Sequence, residues 1–285
     1  MDEEPVFEVK PSWGPFTLNL NEFWRRLRGR PKGAVNIVAE RFLQLFEAHG
    51  VAASEIPRFI LTLNLSTLNT TESLLPALTP AILNEAAQLF GIQRAWLEGT
   101  TDRIYQTYTC YKWPEALFEQ FGRLRYEQHS YPVRALTSSR SLDFRDDRDQ
   151  LLVLLLVEKL ANVEDIDKIW DIERYRIFCD GWNWAYPPCR IQLKAMVRII
   201  DQIIGERVPL FQVNAAQLDA VREGRLVPRQ FVNRCLLTNP SLEDYTNSKS
   251  EHAQAKETEE LPSVMEYIKS HELEETVRRA FKGKL

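Results

Sequence analysis

The chain has 285 residues, 44% of them hydrophobic, and a formal net charge of −4 from 36 Lys and Arg against 40 Asp and Glu. This size suits one large core or two modest ones, and the acidic balance excludes a whole-molecule field that would draw nucleic acid. The longest apolar run, Leu151 to Val157, is far shorter than the roughly 18 residues a membrane span needs, and the acidic N-terminus carries no apolar signal core, so a cytoplasmic protein without a membrane partner is expected.

Residues 1–18 contain three prolines and little periodicity and read as an extended lead-in. Asn21 can cap a short helix through Leu27, with Phe23, Trp24 and Leu27 on its apolar face. Arg25, Arg26, Arg28, Arg30 and Lys32 follow, five cations within eight residues and the chain's one basic cluster. Asn36 to Ala48 sets Ile37, Val38, Phe42, Leu45 and Phe46 at helical spacing, with His49-Gly50 as the stop. Ser54 to Phe59 predicts a second, short helix with Ser54 as cap. Leu61 to Leu78 is rich in Leu, Asn, Ser and Thr.

The stretch from Thr79 to Gly99 spells out its own boundaries. Thr79 suits an N-cap, Pro80 suits the first helical position, and Gly91 supplies a left-handed stop. Ile82, Ala86, Leu89 and Phe90 fall on one face, which Ile92, Trp96 and Leu97 continue after the turn. With its Leu-Phe-Gly-Ile and Leu-Glu-Gly signatures, this helical hairpin resembles the last two helices of the lambda-repressor-like (XRE-type) helix-turn-helix domain. About twenty residues match well and some forty more loosely. The resemblance implies DNA binding: Ala53–Phe59 corresponds to the first helix of the reading pair and Leu65–Glu72 to the recognition helix. That helix would present Ser66, Thr67, Asn69, Thr70 and Thr71 to DNA and no cation, whereas recognition helices usually offer Gln, Arg, Asn or Lys to base edges.

Beyond Gly99, Lys112-Trp-Pro-Glu115 leads into a helix ending near Leu124, and Tyr131 to Thr137 predicts a strand. Arg140 to Asp149, where acids and bases nearly cancel, reads as a solvated loop. Leu151 to Val157 is apolar on both parities, as a strand buried on both faces would be, and its length favours strand over helix. Val163 to Lys168 becomes a connection and Asp171 to Cys179 the next strand. Pro188 opens a helix over Cys189–Ile204, closed by Gly205, with Arg190, Lys194 and Arg198 repeating every four residues. Val208–Val213 predicts a strand and Ala215–Glu223 a helix stopped by Gly224. The result is a small antiparallel sheet with helices, which resembles PAS-like sensor domains in architecture alone.

Trp170, Tyr175, Phe178, Trp182, Trp184 and Tyr186 form an aromatic cluster. Core packing, a partner surface and a pocket for a flat ligand all suit it; Trp182, Trp184, Tyr175 and Arg176 are the residues that would line such a pocket. Leu242 to Pro262 has almost no large apolar residue and predicts a disordered linker. Ser263 to Phe281 recovers helical spacing through Val264, Ile268, Leu273, Val277 and Phe281, and either docks on the body or binds a partner.

Catalytic motifs do not emerge: there is no Gly-rich phosphate loop, no nucleophile elbow and no metal-spaced pair, so neither enzyme chemistry, metal nor cofactor is expected. The four cysteines are scattered and read as reduced thiols. The expected class is α+β: a lead-in (1–18), an all-helical repressor-like domain (19–100), an α+β sensor or dimerisation domain (101–240), a linker (241–262) and a C-terminal amphipathic helix (263–285). Double-stranded DNA, a second copy and a small-molecule ligand are the expected partners. The leading expectation is a DNA-binding transcriptional regulator; the alternative is a protein-interaction adaptor that keeps the helical scaffold without reading DNA.

Overall fold

The computed structural model describes residues 34–124, 131–142, 150–160, 163–165, 168–170, 172–232, 241–246 and 255–282. Helix α1 (Ala34–Ala48) buries Phe42, Leu45 and Phe46 completely, as their spacing demands. Two 3-10 turns follow, Ala53–Arg58 and Leu65–Leu68, then the four-residue helix α2 (Thr71–Leu74). Helix α3 (Pro80–Phe90) has its N-cap at Thr79, whose side chain accepts from Ile82 N–H, Pro80 in the first turn, and Gly91 left-handed at φ 65°. Helix α4 (Arg94–Leu97) then folds back, burying Trp96 and Leu97. Arg41 of α1 holds this hairpin: its guanidinium lies 5.2 Å from the Trp96 ring and donates to the carbonyls of Trp96 and Thr101.

The sheet has five strands in the order β1-β6-β3-β2-β7: β1 (Thr107–Tyr108), β2 (Val133–Thr137), β3 (Leu151–Lys159), β6 (Glu173–Asn183) and β7 (Leu210–Gln212). It is mixed. Strand β3 runs antiparallel to β2 and β6, whereas the short edge strands β1 and β7 are parallel to β6 and β2. The antiparallel expectation is corrected at both edges: β7 is reached from β6 by way of the helical stretch 187–204 across one face of the sheet, and β1, first in chain order, pairs with the distant β6 instead of with a hairpin neighbour. Between β3 and β6, the residues expected to be a plain connection pair as β4 (Val163–Asp165) and β5 (Lys168–Trp170).

Strand β3 divides its apolar residues by parity, which is why both parities are apolar in the sequence. Val153, Leu155 and Val157 join a core with Phe46, Phe90, Tyr175 and Ile177; Leu152, Leu154 and Leu156 face the opposite core, with Phe121, Phe178, Trp182 and Met196. The N-terminal helices and α7 (Ala215–Arg222) cover the first face. The second is covered by α5 (Glu115–Gly122), α6 (Pro187–Ile199, continued by a π-helical turn to Ile204) and two C-terminal helices, α9 (Ala255–Ser270) and α10 (Leu273–Ala280); α8 (Arg229–Val232) lies on the first.

The C-terminal region differs from a linker over 241–262. Leu242–Thr246 is a 3-10 turn with Leu242 and Tyr245 buried, and α9 begins at Ala255, eight residues before the predicted helix start; 247–254 lie outside the described residues. The polar opening of α9 is anchored by Glu260, which pairs with Lys194 Nζ at 2.8 Å and with the Arg190 guanidinium, both cations being almost fully buried. Val264, Ile268, Leu273, Val277 and Phe281 are all buried, so the amphipathic face docks on the body.

Candidate functional site

The stretch expected to be a recognition helix is not one continuous helix. It breaks at Thr70, whose backbone is extended (φ −139°, ψ 160°), between the Leu65–Leu68 turn and α2. The cause is local chemistry: short hydroxyl and amide side chains compete with helical backbone bonds. Asn64 accepts from Thr67 N–H at 3.1 Å and from the Ser66 hydroxyl, Thr67 Oγ1 donates back to Asn64 O at 2.7 Å, and Thr70 Oγ1 accepts from Ser73 N–H at 3.1 Å. Ser66, Thr67 and Thr70 are thus occupied in building two caps, while Asn69 is exposed. The leucines here divide: Leu61 and Leu65 are 83% and 59% exposed, whereas Leu63 and Leu74 are buried and Leu68 packs against the first core. The expected phosphate contacts Arg25, Arg26, Arg28, Arg30 and Lys32 lie outside the described residues.

The four residues expected to line a ligand pocket do not come together. Trp182 and Trp184 are buried in the second core, where Trp182 meets Tyr111 edge-on at 5.6 Å and Trp184 meets Tyr245 at 5.1 Å. Lys194 Nζ sits 5.2 Å from the Trp184 ring, beneath the C-terminal helices. Tyr175 faces the first core, because residues of odd and even parity on β6 point to opposite faces. A register irregularity opposite Leu152/Leu154, with Gly181 at φ 63°, lets β6 run on to Asn183 and carries Trp182 into the second core. The indole N–H groups of Trp182 and Trp184 have no hydrogen-bond partner among the described residues.

Tyr175 and Arg176 instead border a cleft of about 240 Å³ at the seam between the α3–α4 turn and the sheet, lined also by Gln93, Tyr108, Glu158 and Arg174. Strand pairing sets its floor: Arg174 opposes Glu158 and Arg176 opposes Leu156. Arg174 Nε donates to Leu89 O at 2.9 Å, tying the hairpin to the sheet, and its Nη1 lies 3.6 Å from Glu158. Arg176 Nη1 donates to Gln120 O at 2.9 Å.

Beneath the helical layer runs a buried polar chain that the sequence does not announce. His49 Nδ1 lies 2.7 Å from Leu45 O; a carbonyl only accepts, so Nδ1 carries the proton and Nε2 accepts from the Tyr105 hydroxyl at 3.1 Å. The Tyr105 ring meets Tyr175 edge-on, the Tyr175 hydroxyl donates to Glu173, and Glu173 takes a two-pronged pair from Arg134 at 2.6 and 3.2 Å. Burial pushes His49 down to about 4, keeping it neutral. Burial would raise Glu173, but Arg134 and the Tyr175 hydroxyl outweigh it and hold its carboxyl below the usual range. A histidine after a helix and an isolated Arg and Glu on two strands carry no local sign of this pairing, which exists only once β2 and β6 are brought together across β3. Likewise Cys179 and Cys189, scattered in sequence, come within electrostatic reach of Cys110 beside Asp180. Burial and these neighbours push the Cys110 thiol well up, which keeps it protonated.

No protein-family model, curated protein or solved structure matches this chain.

Proposed function

We propose that this protein is a protein-interaction adaptor built on a helix-turn-helix-like scaffold. The observation that carries the reading is the exposure of Leu61 and Leu65, 83% and 59%, on a segment where Asn64 and Thr70 spend their side-chain oxygens capping the backbone N–H groups of Thr67 and Ser73. A surface that reads base edges needs free amide or cationic side chains; two exposed leucines beside capped polar turns suit an apolar contact with a protein. Photo-crosslinking from position 61 in the full chain tests it. A discrete protein adduct is expected, lost in Leu65→Asp at an unchanged thermal midpoint; adducts unaffected by Leu65→Asp would overturn the reading. The DNA-binding regulator is the second reading, favoured by the Arg25–Lys32 cluster, which would contact phosphates without selecting sequence.

A further inference from the structure

Arg174 and Arg176 stand two residues apart on one strand, so their side chains leave the same side of β6 about 7 Å apart. Each guanidinium is fixed at one nitrogen by a backbone carbonyl, Arg174 through Leu89 O and Arg176 through Gln120 O. Carbonyls orient a guanidinium without neutralising it. The acidic side chain lining the same cleft, Glu158, lies 3.6 Å from Arg174, outside hydrogen-bonding distance, and pairs across the strands with Arg174, while Leu156 opposes Arg176. The charged side chains lining the cleft are therefore two cations and one carboxylate, with neutral Gln93 and Tyr108 on the remaining walls.

We propose that this cleft binds a small organic monoanion through its carboxylate, held chiefly by Arg176 with Arg174 on its flank. The planar guanidinium fork matches a carboxylate with two parallel hydrogen bonds. Glu158 sets the charge limit: it leaves one net positive charge for the ligand and repels a second negative one. Tyr108, whose ring lies 5.8 Å from Phe178, offers an aromatic wall to the ligand's body. The volume of about 240 Å³ accommodates a body on the scale of a single ring beyond the carboxylate.

Titration of the full chain with benzoate, with benzamide as the neutral isostere and inorganic phosphate as the multiply charged anion, tests the site, read by NMR shifts of the arginine Nε–H groups. Saturable shifts are expected with benzoate and none with benzamide. Arg176→Gln should weaken benzoate by about tenfold, the loss of one charge-assisted pair, at a thermal midpoint close to wild type. Glu158→Gln, which removes the repelling carboxylate and leaves both arginines, should tighten it. Equal responses to benzoate and benzamide, phosphate binding more tightly than benzoate, or benzoate affinity unchanged in both variants would each overturn the proposal.

Discussion

Trp96 shows how one side chain can fasten a layer. It is 8% exposed, closes the hairpin begun at Thr79, and carries Arg41 across its ring. Trp96→Ala should therefore destabilise the protein by roughly 3–5 kcal/mol in denaturant unfolding, because it opens a cavity and leaves Arg41 without its aromatic platform; a loss below about 1 kcal/mol would show that the hairpin is not packed on α1. His49 adds a pH dependence of definite sign. Its folded value, about 4, lies below the ordinary 6.5, so the unfolded chain binds the extra proton and the neutral ring's contribution is complete above about pH 6.5 and lost as pH falls towards 4. From that difference the contribution amounts to at most about 3 kcal/mol. Glu173 acts lower on the scale: its stabilisation, present above the ordinary carboxylate range, is lost as pH falls through its depressed folded value. His49→Phe should flatten stability between pH 4 and 6.5, measured by urea midpoints, and leave the acid limb below pH 4 in place.

At the scale of elements, capping chemistry was legible and long-range pairing was not. Thr79, Pro80 and Gly91 fix α3 through bonds within the helix's own ends, and Gly205 and Gly224 mark stops at φ 78° and 71° for the same local reason. The two-residue strand β1 has no such signature; its pairing with Ile177 and Phe178 depends on a segment seventy positions away. The polar start of α9 reads as linker because its anchors, Arg190 and Lys194, belong to another helix. Leu65–Glu72 reads as a helix by analogy with a family, yet its own Asn, Ser and Thr residues choose caps. The seam cleft was half legible: Tyr175 and Arg176 were named in the sequence, but the tryptophans expected beside them are buried in the second core. Packing of the C-terminal helices makes its own prediction at Gly122. A Cβ there would lie 2.2 Å from Ala280 O, so α10 can approach α5 only over a glycine. Gly122→Ala, which in an exposed helix gains about 0.5–1 kcal/mol, should here lower stability and raise hydrogen exchange across Leu273–Ala280; a stabilised variant would contradict that contact.

The whole molecule is a mixed sheet with helices on both faces, and its N-terminal helical layer shares a core with β3 and β6. A polar chain from Leu45 through His49 and Tyr105, and from Tyr175 through Glu173 to Arg134, underlies that layer. The N-terminal helical layer and the sheet are thereby built as one packed body, with Leu61 and Leu65 facing outward and the arginine cleft open at the seam. Among the described residues no helix is long and apolar enough to cross a membrane. The adaptor reading is tested most directly by electrophoretic mobility of the full chain with a randomised duplex pool at low ionic strength, where phosphate contacts are strongest. It predicts no mobility shift at any protein concentration that keeps the chain soluble. A shift that weakens steeply as salt rises, and that selects sequences whose enrichment disappears in Asn69→Ala, would contradict it and establish a DNA-binding regulator in its place.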